Sequence, residues 1–290
     1  MKKLFEDNYE NFMEKVQKKP MTIDDLLDLV ETMQKNEMDI HIGDVGQNGV
    51  GKTYFSLMVL KKYLLRKMPN PDIFENLFLA KHSTTDVIGY ILNNEDTLIV
   101  LDEANQYLNY KKHSESEQNA LISAFELARS KRIGVIANIR DPRKITLNYR
   151  QGKLSVVIWI LDRYEKGGSY AAVCVANPSV ETADKFGFMM LDSTITTMEE
   201  LRIIFENYVP SFVTWMKIPN MRDILTKEEI EKYKHEKNKA MAYAELRRLI
   251  HEYGKRKIDE HDFQQGLKNL TILDDEEIEN AILRAKKYRK

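Results

Sequence analysis

Gly46-Gln47-Asn48-Gly49-Val50-Gly51-Lys52-Thr53 fits the spacing G-x-x-x-x-G-K-[ST], which suits a chain that must wrap a phosphate group. Glycines at its two ends let the backbone turn through conformations that a side chain forbids and lie close to phosphate oxygens. The turn's N–H groups, with those of a following helix N-terminus, can then point inward at an anion. Lys52 would reach the outer phosphates as a point charge, and the Thr53 hydroxyl would hold Mg²⁺. With Tyr54 opening the next helix, residues 46–54 form a candidate nucleotide-binding stretch.

A second stretch supplies acid groups. Thr97-Leu98-Ile99-Val100-Leu101-Asp102-Glu103 is an apolar run ending in two carboxylates, as expected of a buried parallel strand whose C-terminal end faces a ligand. Asp102 is placed to orient a Mg²⁺ shell, and Glu103 to polarise an attacking water. One element later, Ile133-Gly134-Val135-Ile136-Ala137-Asn138 reads as another strand. Its end is where a γ-phosphate sensor belongs, a role for which Asn138 and Arg140 compete. The cluster Arg129-Ser130-Lys131-Arg132 before it is either a solvated helix end complementing the dipole or a source of an arginine finger for a neighbouring subunit.

These groups need elements to hold them. Met38–Ile42 alternates apolar and polar residues and predicts a strand over 38–45, although Asp39, His41 and Asp44 are unusual in a central parallel strand. His41 either faces ligand or is a satisfied interior histidine. The apolar run from Tyr54 to Leu60 predicts a helix, Asn76–Ala80 a short strand, and Ser83 with Asp86 a capped helix to about Leu92. Leu154–Leu161 and Tyr170–Ala176, joined by a polar glycine-containing loop, predict an antiparallel hairpin. Its 163–168 loop is either plain surface or a basic contact for DNA. Upstream, residues 1–37 read as two helices split at Pro20, the second capped by Thr22 and Asp25. Thr197 with Glu200 and Thr226 with Glu229 mark two more helix starts, and Phe212, Trp215 and Met216 form an aromatic segment between prolines. The expected organisation is a helical prefix (1–37), an α/β core with a mostly parallel sheet (38–180), a connecting segment (181–225) and a charged helical region (226–290). The tail Arg284–Lys290 either is a solvated helix end or binds DNA.

The order of glycine-rich loop, intervening strand, Asp-Glu strand and sensor strand matches P-loop ATPases with an added catalytic glutamate. Within them the chain resembles the FtsK–HerA group, especially its compact viral packaging and zonular-occludens-toxin-like members. Residues Ile99–Leu108 look like that group's Asp-Glu-Ala-His strand and helix, Ala128–Val135 its basic lead into the sensor strand, and Ile139–Ile145 its Gln-x-Pro segment. Arg140 stands where the family usually has glutamine, and the anchor typical of the toxin-like branch is missing. The resemblance covers roughly residues 38–178. It implies a RecA-like core and a ring-forming ATPase that moves double-stranded DNA, with Arg143, Lys144 and Arg150 as basic contacts. The alternative is an ATPase that remodels protein assemblies or loads a helicase.

Composition sets the outer limits. With 44 Lys and Arg against 45 Asp and Glu, the net charge is −1, so any DNA contact must come from local patches. Cys174 is the single cysteine, which excludes an internal disulfide and fits a reducing interior. No apolar run approaches a membrane span and the N-terminus lacks a signal-peptide pattern. The expectation is a soluble protein of the cytoplasm, or of the host cytoplasm if viral.

Overall fold

The structure, a computed structural model, describes residues 20–47, 49–79, 82–109, 115–163, 168–175, 213–255 and 257–287. Asn48, the helix expected before Pro20, the helix expected at Thr197, and most of the 163–168 loop lie outside the described residues. The chain divides into two compact units, the first carrying the sheet (Met1–Phe78 and Ser83–Leu225), the second comprising Leu79–His82 and Thr226–Lys290.

In chain order the first unit contains α1 (Ile23–Lys35), β1 (His41–Val45), α2 (Lys52–Leu65), β2 (Leu77–Phe78), α3 (Thr84–Asn93), β3 (Leu98–Leu101), α4 (Glu115–Ser130), β4 (Gly134–Ile139), α5 (Leu147–Gly152), β5 (Val156–Arg163), β6 (Ser169–Val175) and β7 (Val213–Ile218). The strands form one sheet in the order β2-β3-β4-β1-β5-β6-β7. Pairing is parallel from β2 through β5 and antiparallel from β5 to β7. The result is a mostly parallel sheet flanked by helices, compatible with a Rossmann-type or a RecA-like core. Among the described residues no helix is long and apolar enough to cross a membrane.

Helix starts follow their local chemistry. Thr22 with Asp25 and Ser83 with Asp86 each form a reciprocal capping box, satisfying backbone donors that an uncapped first turn leaves open. α3, α4 and α5 share one apolar cluster with β3, β4, β1 and β5, centred on Phe125, Tyr149 and Trp159. α2 packs against β3, β4 and β1, and α1 packs on α2. At the N-terminal end of the strands Gln34 Nε2 donates to Thr97 O and Arg132 O, and Tyr63 Oη donates to Gln34 Oε1. One amide thus ties α1 to α2 and to the entries of β3 and β4.

β7 departs from expectation: the aromatic segment around Trp215 is an edge strand. Thr214, Met216 and Ile218 point inward while Trp215 and Lys217 face out, and Met21 N–H donates to Trp215 O at 2.7 Å. That bond covers part of the sheet edge that the described residues leave at β7. Cys174 is buried in β6, as its apolar neighbours imply.

The second unit is helical: α6 (Lys227–Gly254), α7 (Glu260–Lys268) and α8 (Asp275–Lys287). Leu246, Leu249, Phe263, Leu270 and Leu273 form its apolar centre. Tyr253 stacks on Phe263 with ring centroids 4.5 Å apart. A side chain at Gly266 would meet Leu249 Cδ2 at 2.7 Å, so the glycine permits close packing of α7 on α6.

His41 is an interior residue. It is buried at the start of β1, its Nδ1 lies 3.1 Å from Tyr149 Oη, and Phe125 meets its ring edge-on. Burial, with the Lys153 charge nearby, pushes its pKa down from 6.5 to about 3. The folded protein thus excludes a proton that the unfolded chain accepts, and stability is lost as pH falls from about 6.5 towards 3. Replacing His41 by Gln should flatten this acid limb by up to one proton, about 1.4 kcal/mol per pH unit. Urea titrations of both proteins across this range measure the difference; parallel limbs would contradict it.

Candidate functional site

The parallel register delivers polar groups to one end of the sheet. Asp44 on β1 stands beside Asn138 on β4, and Leu101 on β3 stands beside Ala137. Asp102, immediately after β3, therefore lies next to Asn138. All three side chains are buried. They sit under the start of α2, directly after the glycine-rich turn.

The turn is held from below and beside. Gly46 has φ +153°, and a Cβ there would meet Ile160 O of β5 at 2.5 Å, so the backbones approach too closely for any side chain. Gly49 and Gly51 also have positive φ, at +84° and +103°, yet added Cβ atoms there meet nothing within 4 Å. At these two positions the constraint is the backbone conformation alone, not a neighbouring atom. Lys52 folds back over the turn, its Nζ donating to Gly46 O at 2.7 Å and Gln47 O at 2.8 Å. Ser169 Oγ, at the start of β6, donates to Val50 O at 3.2 Å. Gln47, Val50 and Tyr54 are half-buried around the turn.

Residues far apart in sequence meet here. Thr53 Oγ1 donates to Asp102 Oδ1 at 2.8 Å, and Asn138 Nδ2 donates to the same oxygen at 3.1 Å. A threonine hydroxyl beside a carboxylate is the hard oxygen pair that Mg²⁺ takes, with water and substrate oxygens completing its shell. Glu103 is half-buried and adopts a left-handed backbone, φ +58°. Such a conformation costs a non-glycine residue of order 1–3 kcal/mol, and strain of this kind concentrates at functional sites. Asn105 braces the neighbouring loop: its Oδ1 accepts from Arg140 N–H at 2.7 Å and Asp141 N–H at 3.2 Å.

The two sensor candidates separate clearly. Asn138 joins Asp102, whereas the side chain of Arg140 is exposed. Arg129 and Arg132 lie at the opposite end of the sheet, before β4. Arg129 is exposed, and Arg132 grips Asp96 with both Nε and Nη2, at 2.7 and 2.6 Å. Neither joins the Asp102 cluster of its own chain. The basic segment after β4 also differs from expectation. Arg143 and Lys144 pair with Asp141, and Arg150 is buried at 6% exposure. Arg150 is buried on α5, unlike the exposed Arg143 and Lys144.

Ser56 is concealed in the sequence because it stands in an apolar helical run. Its Oγ lies 2.5 Å from Asn138 Oδ1 and 3.1 Å from Asp44 Oδ2. The signal was a set of polar residues at three otherwise apolar places, Asp44, Ser56 and Asn138, each explained by the others.

No protein-family model, curated protein or solved structure matches the chain. The case for function therefore rests on the site itself.

The turn's geometry is directly testable. Gly46→Ala combines a disfavoured φ with a backbone collision and should cost about 3 kcal/mol or more, whereas Gly49→Ala should cost about 1 kcal/mol. Chemical denaturation of the two variants measures this ranking. Equal stabilities would mean that β5 does not constrain the turn.

Proposed function

We propose that this chain is a Mg²⁺-dependent P-loop ATPase with a RecA-like core of the FtsK–HerA type. Its work on this reading is the ring-based translocation or packaging of double-stranded DNA. The observation that carries the ATPase reading is the meeting of the two motifs: Thr53 bonded to Asp102, with Lys52 folded over the glycine-rich turn. Strand order adds support, since the loop strand β1 is separated from the Asp-Glu strand β3 by one intervening strand, β4.

On this reading the turn cradles the β- and γ-phosphates, and Lys52 exchanges its carbonyl partners for phosphate oxygens as ATP enters. Thr53, and Asp102 beside it, are the residues that would hold Mg²⁺, which when bound would supply positive charge against the phosphates. Glu103 orients and deprotonates the attacking water, and Asn138 contacts the γ-phosphate side of the site. This reading assigns the sensor to Asn138 rather than to Arg140, whose side chain is exposed and whose backbone N–H donates to Asn105. In a ring, an arginine finger would be supplied in trans by the next protomer. Of the two candidates Arg129 can be presented without loss, while Arg132 would first have to leave Asp96.

The pairing of Arg143 and Lys144 with Asp141, together with the burial of Arg150, favours a second reading for the substrate. An ATPase that remodels protein assemblies or loads a helicase needs no cationic track.

Rates of ATP hydrolysis with and without long duplex DNA test both levels. Lys52→Ala should abolish nucleotide binding, and Glu103→Gln should retain binding while lowering kcat by roughly 10²–10⁴. Normal turnover in Glu103→Gln would remove the assigned base. For a DNA motor, duplex stimulates turnover, and neutralising Arg143 and Lys144 flattens the slope of log affinity against log salt by about 0.9 for each DNA phosphate left without its cation. Without duplex binding or stimulation the protein-remodelling reading stands instead.

A further inference from the structure

Asp44 has no part in the scheme above, yet it is completely buried in a central strand beneath the nucleotide site. Its state follows from counting protons. Ser56 Oγ lies within hydrogen-bond reach of Asn138 Oδ1, at 2.5 Å, Asp44 Oδ2, at 3.1 Å, and Lys52 O, at 3.3 Å, but a hydroxyl has one proton to give. Asn138 decides where it goes. Its Nδ2 donates to Asp102 Oδ1, which also accepts from Thr53. Turned the other way, the amide would set its own oxygen against that carboxylate oxygen, acceptor against acceptor. Asn138 Oδ1 therefore faces Ser56 and takes the Ser56 proton.

Asp44 Oδ2 and Ser56 Oγ are then in contact with no proton between them unless Asp44 provides it. The other oxygen, Asp44 Oδ1, is buried with no hydrogen-bond partner. The carbonyl oxygen of a neutral acid tolerates that position, whereas one end of a buried carboxylate charge does not.

We propose that Asp44 is a positioning residue held as the neutral carboxylic acid, whose O–H orients Ser56 and, through it, the Asn138 amide towards Asp102. The donors run in one direction: Asp44 O–H to Ser56 Oγ, Ser56 O–H to Asn138 Oδ1, Asn138 N–H to Asp102. Burial pushes the Asp44 carboxyl well above the usual carboxylate range and the Asp102 charge adds to this, outweighing the opposing pull of Lys52 and of the Ser56 hydrogen bond. The functional part of the inference rests on the ATPase reading. With Asn138 so fixed, its amide is presented ready-made to the γ-phosphate side of the site and does not have to reorient during the reaction.

The test combines a spectroscopic measurement with a rescue series. In the nucleotide-free wild-type protein labelled with carboxyl-¹³C aspartate, infrared spectroscopy at neutral pH should show an isotope-shifted C=O band of a protonated acid, and Asp44→Asn should remove it. In turnover, Asp44→Ala and Ser56→Ala should lower kcat by about tenfold or more with KM for ATP little changed, the signature of a lost reaction-stage interaction. Asp44→Asn, whose amide N–H replaces the acid O–H, should restore most of what Asp44→Ala loses. An Asp44→Asn protein as slow as Asp44→Ala would overturn the proposal, as would wild-type protein lacking the acid band. If wild-type protein hydrolyses no ATP, the ATPase reading fails, and the infrared band alone decides for or against the neutral acid. The same band decides if the variants do not fold.

Discussion

The site depends on the parallel register of three neighbouring strands. β3, β4 and β1 all run in the same direction, and their pairing sets Asp102, Asn138 and Asp44 side by side at one end of the sheet. Reversing or slipping any one strand by a residue would turn its polar group to the opposite face. α2, which follows β1 through the glycine-rich turn, then brings Lys52, Thr53 and Ser56 over the same end. A helix joining parallel strands returns to the sheet in a fixed hand, so the turn and the carboxylates converge without any loop having to find them. Buried polar groups in such a place are costly singly, and here they satisfy one another: Thr53 with Asp102, Asn138 with Asp102, Ser56 with Asn138.

Much of this was legible in the residues. The apolar run ending in Asp102 and Glu103 marked β3, the alternation over 38–42 marked β1, and Leu154–Leu161 with Tyr170–Ala176 marked a hairpin that the β5–β6 pairing matches. Capping pairs placed the starts of α1, α3 and α6 to within a residue because the reciprocal hydrogen bonds are local. β7 was not legible. Its inward residues include a threonine and its outward ones a tryptophan, so side-chain type conceals the alternation that the sheet imposes. Val213, Thr214, Trp215 and Ile218 are strand-favouring residue types, and pairing with β6 sets which of them face inward.

The same distinction applies to the charges. Sequence showed a basic segment after β4 but not which cations remain available. Asp141, standing just before the two exposed residues, takes both Arg143 and Lys144, while the turn of α5 carries Arg150 inward. Likewise Arg132 meets Asp96 directly although 36 residues separate them in the chain. Which partner a cation meets is decided by the sheet order. For this reason the polar cluster at the strand ends, built from a backbone turn and neighbouring strands, is more legible in sequence than the surface on which a cation is left exposed.

The central claim is that the glycine-rich turn and Asp102 together form one site for a magnesium nucleotide. Calorimetric titration of the purified protein with ATP, in the presence of Mg²⁺ and in excess chelator, tests it most directly. The account predicts saturable binding of one ATP per chain with Mg²⁺, weakened when the metal is removed and weakened equally by Asp102→Ala, which should also abolish the metal dependence. Absence of binding, or binding indifferent to both Mg²⁺ and Asp102, would contradict it.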